Sequence, residues 1–264
     1  MKTDWSLYLS FFLLMVILLV SVHLFFFYIR KKFPAPEKYR QPPRPLREME
    51  KEYAKWDLLG GFLGFLIGIA GGYVVYELCR ALCAFRADFL TGEYILVPHA
   101  GMCLLPVLPG AMAAGLMGGL LFMRFVIGPE RTREMECLAA HKLGFDAGRF
   151  MSRATVFLAV LCLAGLYLTA DTYMAISSDK LKYNTFFGLS EKVYDYADVK
   201  SIQHIADIKS RFKTDHKIKI AFRDGNVWKS VNTAEISETM AQDIAAFISG
   251  KSGIPAEEKT TVRR

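Results

Sequence analysis

The sequence predicts an α-helical membrane bundle of four transmembrane helices, followed by a C-terminal α+β domain of antiparallel strands with one closing helix. Three observations carry this reading. Four apolar runs, Trp5–Tyr28, Asp57–Cys79, Met102–Gly128 and Thr155–Ile176, each approach the roughly 20 residues that a helix needs to cross a hydrocarbon core. Charged residues make up 22% of the chain, yet they are nearly absent from those runs and crowd the segments between them. After the fourth run the apolar period changes from helical to alternating, as strands require.

Residues 1–29 form the first transmembrane helix. A signal peptide would start the same way, but this run is too long for a typical signal core. Arg30, Lys31 and Lys32 also stand where a small-residue cleavage site would lie, so the segment reads as a retained anchor. Residues 30–56 form a basic juxtamembrane connection. Pro34, Pro36, Pro42, Pro43 and Pro45 hold its first part extended. From Leu46 to Trp56 the charges alternate in a helical manner, extending the second span inward. Residues 57–128 form a transmembrane hairpin of helices two and three, with Pro106 and Pro109 near the start of the latter.

Gly60, Gly64, Gly68 and Gly72 recur at every fourth position of the second span, which puts a side-chain-free ridge on one helix face. In lipid, where apolar burial drives association weakly, such a ridge lets another backbone approach closely. Ala111, Gly115 and Gly119 answer at the same interval in the third span, as do Ala114 and Gly118. Packing of the two spans against each other is the simplest outcome, and self-association into a homo-oligomer is the other. Residues 129–153 are read as an amphipathic interfacial connection, with Met135, Leu138, Ala139, Lys142 and Phe145 at helical spacing. Residues 154–177 are the fourth span.

Basic residues fill the first and third connections, while the link between spans two and three holds only Arg80 and Arg86. The positive-inside rule then places those two connections in the cytoplasm and the C-terminal domain outside the plasma membrane. The net charge of +7 is explained by cations beside spans, where residues 30–56 meet anionic lipid headgroups, so no nucleic-acid partner is expected. Cys79 and Cys83 lie one helical turn apart. Without a second matching pair they read as small apolar residues near a helix end, and Cys137 and His141, four apart at a spacing a metal could use, are two ligands without others. No metal, cofactor or catalytic residue is assigned, because the nucleophile elbow, zinc-protease helix and phosphate-binding glycine loop are all missing.

In the C-terminal part, 178–250, Leu181, Tyr183, Thr185 and Phe187 alternate, and Val193–Tyr196 begins another strand. Lys217–Phe222 and Val227–Val231 flank the hairpin signal Asp224-Gly225. Asn232 and Glu235 fit a capping box before the apolar face Ile236, Met240, Ile244, Phe247 and Ile248, with Gly250 as the stop. Residues 251–264 read as a disordered tail. Four stretches, Asp171-Thr172-Tyr173, Phe186-Phe187-Gly188-Leu189 with Glu191-Lys192, Tyr196-Ala197-Asp198-Val199 and Arg223-Asp224-Gly225, resemble the bacterial membrane-anchored PH-like domain proteins, from Thr172 to Gly250. The resemblance implies a PH-like barrel in a bacterial inner membrane protein, with a binding or assembly role and no reaction. Lys209, Arg211, Phe212, Lys213 and Lys217 are the candidate contacts for a lipid or partner.

The function expected from these readings is non-catalytic. The chain would be a multi-pass membrane scaffold or accessory subunit whose PH-like domain binds a protein partner or a lipid surface. The alternative is a small oligomeric channel or transporter component packed through the glycine zipper.

Overall fold

Three helices are long and apolar enough to cross a membrane, at Leu46–Asp88, Met102–Ile127 and Ala147–Ala170. They leave large apolar side chains such as Phe62, Phe65, Leu108, Phe157 and Leu163 exposed, which suits hydrocarbon and not water. The computed structural model describes residues 21, 23–39, 42–98, 101–188, 190–210, 213–230 and 236–262. Most of the first expected span, 1–29, lies outside the described residues. Residues 23–32, at its C-terminal side and just beyond it, are helical (α1).

Helix α2 (Leu46–Asp88) starts where the proline-rich stretch ends, and its 43 residues extend about 65 Å, well beyond a bilayer core. A short 3-10 helix at Met102–Leu104 precedes α3 (Val107–Phe122). Pro106 stands just before α3 and Pro109 within its first turn, where proline costs no hydrogen bond. Helix α3 ends in a π-helical turn, Met123–Ile127. Then come α4 (Pro129–Leu143) and α5 (Ala147–Ala170). Gly144, at φ 75°, makes the left-handed cap that separates them. The last span thus starts at Ala147, earlier than the expected 154.

The chain divides into two compact units, residues 1–71 with 111–159 and residues 72–110 with 160–264. In the first, Met49 and Tyr53 of α2 pack with Ile127, Met135 and Leu138, and Tyr39 packs with Cys137 and Ala140. The apolar face of α4 is therefore covered by the first connection, where an interfacial helix lying on lipid was expected. Polar bonds hold the contact. Arg44 bonds Glu134 and also Glu52 at 2.9 Å, Tyr53 Oη donates to Glu134 at 2.7 Å, and Tyr39 Oη donates to Glu136. The Arg44 guanidinium, then the Tyr53 hydroxyl, hold the Glu134 carboxyl below its usual range.

In the second unit, β1 (Tyr94–Leu96) pairs antiparallel with β2 (Tyr173–Ile176), so the link between α2 and α3 supplies a strand to the C-terminal domain. Strands β3 (Lys180–Asn184) and β4 (Lys192–Asp195) complete a four-stranded antiparallel sheet in the order β1-β2-β3-β4. The second sheet runs β7-β6-β5-β8, built from β5 (Val199–Ser210), β6 (Lys213–Phe222), β7 (Val227–Lys229) and β8 (Ala256–Val262). Met174, Leu181 and Tyr183 of one sheet share a core with Ile202, Ile218 and Phe222 of the other and with Ala241, Ile244 and Ile248 of α6 (Glu238–Ser252).

Two expectations fail here. Strand β8 pairs in parallel with β5, so the domain is mixed where only antiparallel strands were expected, and residues 256–262 are ordered where a disordered tail was expected. The polar run Glu257–Thr261 hid this edge strand, whose β-branched Thr260, Thr261 and Val262 suit a sheet. Helix α6 is capped by Ser237, whose side chain accepts from the Met240 amide, and it passes Gly250 to end at Gly253, φ 71°. Only Gly253 takes the left-handed conformation that stops a helix. The Asn232–Glu235 capping box lies outside the described residues.

Candidate functional site: a cavity lined by glycine-rich helices

The glycine positions of α2 and α3 meet at backbone distance. A Cβ placed on Gly64 would lie 3.0 Å from the Gly115 carbonyl oxygen, and one on Gly68 3.0 Å from that of Ala111. Gly60 faces the Phe122 ring instead, at 3.3 Å, and Gly119 has open space around it. Gly72 is buried but lies in the other unit. The second expected ladder of α3 is also engaged, because Ala114 abuts Gly71 and Gly118 abuts Ile67. Gly71 and Ile67 lie outside the four-residue ladder expected in α2, where spacing pointed to one ridge only.

Beside this contact the first unit holds a cavity of about 1370 Å³. Its walls are the glycine-rich faces of α2 and α3, with Met151 and Ser152 of α5. Asp57, Arg124, Arg133, Glu136 and Lys142 are the charged residues of its lining. Lys142 bonds Glu50 at 2.7 Å, and Glu136 accepts from Tyr39. Arg124 and Arg133 make no ion pair among the described residues. Arg124 stands in the π-helical turn, a distortion often found at functional sites. Thr132, which also lines the cavity, ties that turn down by donating to the carbonyls of Met123 and Gly128, both at 2.7 Å.

A space lined by glycine-rich helix faces and by two guanidinium groups that make no ion pair among the described residues suits an amphiphile with an anionic head. Nothing in the spacing of the sequence marked Arg124 and Arg133 as lining one cavity, since they lie on different elements on either side of the sharp turn at Gly128, φ 91°.

The proposed contact loop of the C-terminal domain takes a different form. Strands β5 and β6 are long, and Arg211 and Phe212 fall outside the described residues between them. Lys209 lies in the last two residues of β5 and Lys213 opens β6. Lys217 is not in a loop. It sits within β6 and its Nζ bonds Asp207 Oδ2 at 2.7 Å, with the carboxylate almost wholly buried. A search of protein-family models and of curated proteins found no match to this chain.

Proposed function

We propose that this is a non-catalytic multi-pass membrane protein that holds an anionic amphiphile, of the phospholipid class, between its spans and presents a PH-like domain for docking. The observation that carries the proposal is the lining of the cavity, which combines Arg124 and Arg133, neither in an ion pair among the described residues, with the glycine-rich faces of α2 and α3. An acyl chain along α2 and α3 would place a phosphate near those guanidinium groups. Charge bias supports the same orientation, since the basic first and third connections belong on the cytoplasmic side. The headgroup would then lie in the inner leaflet, and β1 with the C-terminal sheets would lie outside. With the first apolar run counted, the bundle has four spans.

The scaffold reading is favoured over an oligomeric pore because Gly64 and Gly68 are already engaged by α3 of the same chain. Lipid extraction from the purified protein tests the proposal. Phosphatidylglycerol or another anionic phospholipid should co-purify at near one per chain, and R124Q/R133Q should lose it while remaining monodisperse. Equal retention of zwitterionic lipid by both proteins would refute the assignment.

A further inference from the structure

Independently of the cavity, the second unit contains three buried thiols that the sequence did not bring together. Cys79 and Cys83 lie one turn apart on α2, and Cys103 comes from the short 3-10 helix ahead of α3. All three are free cysteines, and their Sγ atoms lie within 4.8 Å of one another. We propose that Cys79, Cys83 and Cys103 form a binding site for a soft monovalent cation, Cu(I).

Geometry and ligand type select the ion. At a metal–sulfur distance of about 2.3 Å, three thiolates in a plane stand roughly 4 Å apart, so closing the triad needs only a small side-chain movement. Zinc in a structural site takes four ligands, and no carboxylate or imidazole joins this group among the described residues. Cys162 packs in the same buried cluster but stays outside the ligand-distance group. Soft thiolates favour Cu(I). Each thiol that ligates gives up its proton to solvent, and nothing is oxidised or reduced.

A second observation points to the same place. Thr155 and Thr172 donate their hydroxyls back to the carbonyls four residues earlier, at 2.9 and 2.8 Å. Thr169, wholly buried and within reach of Cys79, makes no such bond, and its Oγ1 has no hydrogen-bond partner of ordinary geometry. The Cys79 sulfur is its neighbour, and as a thiolate it would accept from that hydroxyl more strongly than the weakly accepting thiol does.

The test is to titrate Cu(I) into the full-length protein in detergent, under reductant, against a chromophoric cuprous chelator. One equivalent per chain and three sulfur scatterers in copper-edge X-ray absorption are expected. C79S, C83S and C103S should each weaken retention by more than the roughly 10–100-fold typical of outer-shell losses, while C137S leaves it unchanged. Melting curves show whether each variant folds. In the wild type, Cu(I) should also shield the three thiols from maleimide, a readout that needs no variant. Stoichiometric copper retained by the triple serine variant would overturn the proposal. So would a fourfold sulfur shell lost in C162S, preferential retention of zinc, or a disulfide within the triad of protein isolated without reductant.

Discussion

Gly64 and Gly115 face each other so closely that a Cβ on Gly115 would lie 2.8 Å from the Gly64 carbonyl oxygen, while one on Gly64 would lie 3.0 Å from the oxygen of Gly115. Neither obstacle is a flexible side chain, so the only relief is to separate α2 from α3. In hydrocarbon that separation gives up van der Waals contact with no hydrophobic gain to offset it.

Gly115→Ala should therefore destabilise the protein by about 1–3 kcal/mol, the usual range for overpacking. Gly119→Ala should be neutral or stabilising, because open space surrounds that position and alanine is the better helix former by roughly 1 kcal/mol. Thermal unfolding in detergent, followed by helical circular dichroism, separates the two. If Gly115→Ala instead dissociated an oligomer while the monomer kept its melting temperature, the ridge would be an interface between copies.

The carboxyl of Glu134 ties α4 to the first connection through Arg44 and Tyr53. Its pKa is lowered in the fold, chiefly by the hydrogen bond from Arg44 and next by that from Tyr53. The stabilisation is therefore present above the unfolded value of about 4.3 and is lost as pH falls through the lower folded value. Hydrogen–deuterium exchange should show residues 42–53 and 129–143 loosening together in acid. Glu134→Gln should loosen them at neutral pH and flatten the pH dependence. An unchanged acid profile in that variant would assign the effect to other carboxylates.

The hydropathy of the spans and the Asp224-Gly225 turn were legible because each is a local property. Gly225 has φ 88°, and the Phe222 amide donates to the Asn226 carbonyl across that turn at 2.9 Å. The apolar face of α6 was legible for the same reason. What could not be read depends on distant partners. Strand β1 has three residues and becomes a strand only because β2 offers Met174–Ile176 to it. Strand β8 is polar throughout its centre and is defined by the free edge of β5. Cys103 joins Cys79 and Cys83 through tertiary packing, and Arg124 and Arg133 line one cavity from either side of a turn. Periodicity carries no information on any of these pairings.

Ending the chain at Pro255 should destabilise the C-terminal domain, since it removes β8 and leaves β5 as an open edge from Ile202 to Ile208. Each 1 kcal/mol lost lowers the melting temperature of a domain of this size by about 4–8 °C. An exposed edge strand also templates pairing with other chains. The truncated protein should therefore melt earlier and form larger species in size-exclusion chromatography. Unaltered melting and elution would mean that β8 contributes nothing to the sheet.

Lys217 distinguishes a structural cation from a contact cation. Its Nζ lies 2.7 Å from Asp207 Oδ2, and the Asp207 side chain is 6% exposed. Thr261 of β8 also donates to that carboxylate, at 3.3 Å. Removing Lys217 takes away a cation held against a buried carboxylate, and breaking a buried pair of this kind costs roughly 3–5 kcal/mol. Lys217→Met should thus destabilise the domain strongly, while Asp207→Leu with Lys217→Met should recover much of the loss, because a buried pair replaced by apolar residues is often neutral. Denaturation of the two single variants and the double variant gives the coupling directly. If Lys217 is instead a surface contact, Lys217→Met will leave stability intact and lower only the affinity for anionic vesicles, and the double variant will behave as the sum of the singles.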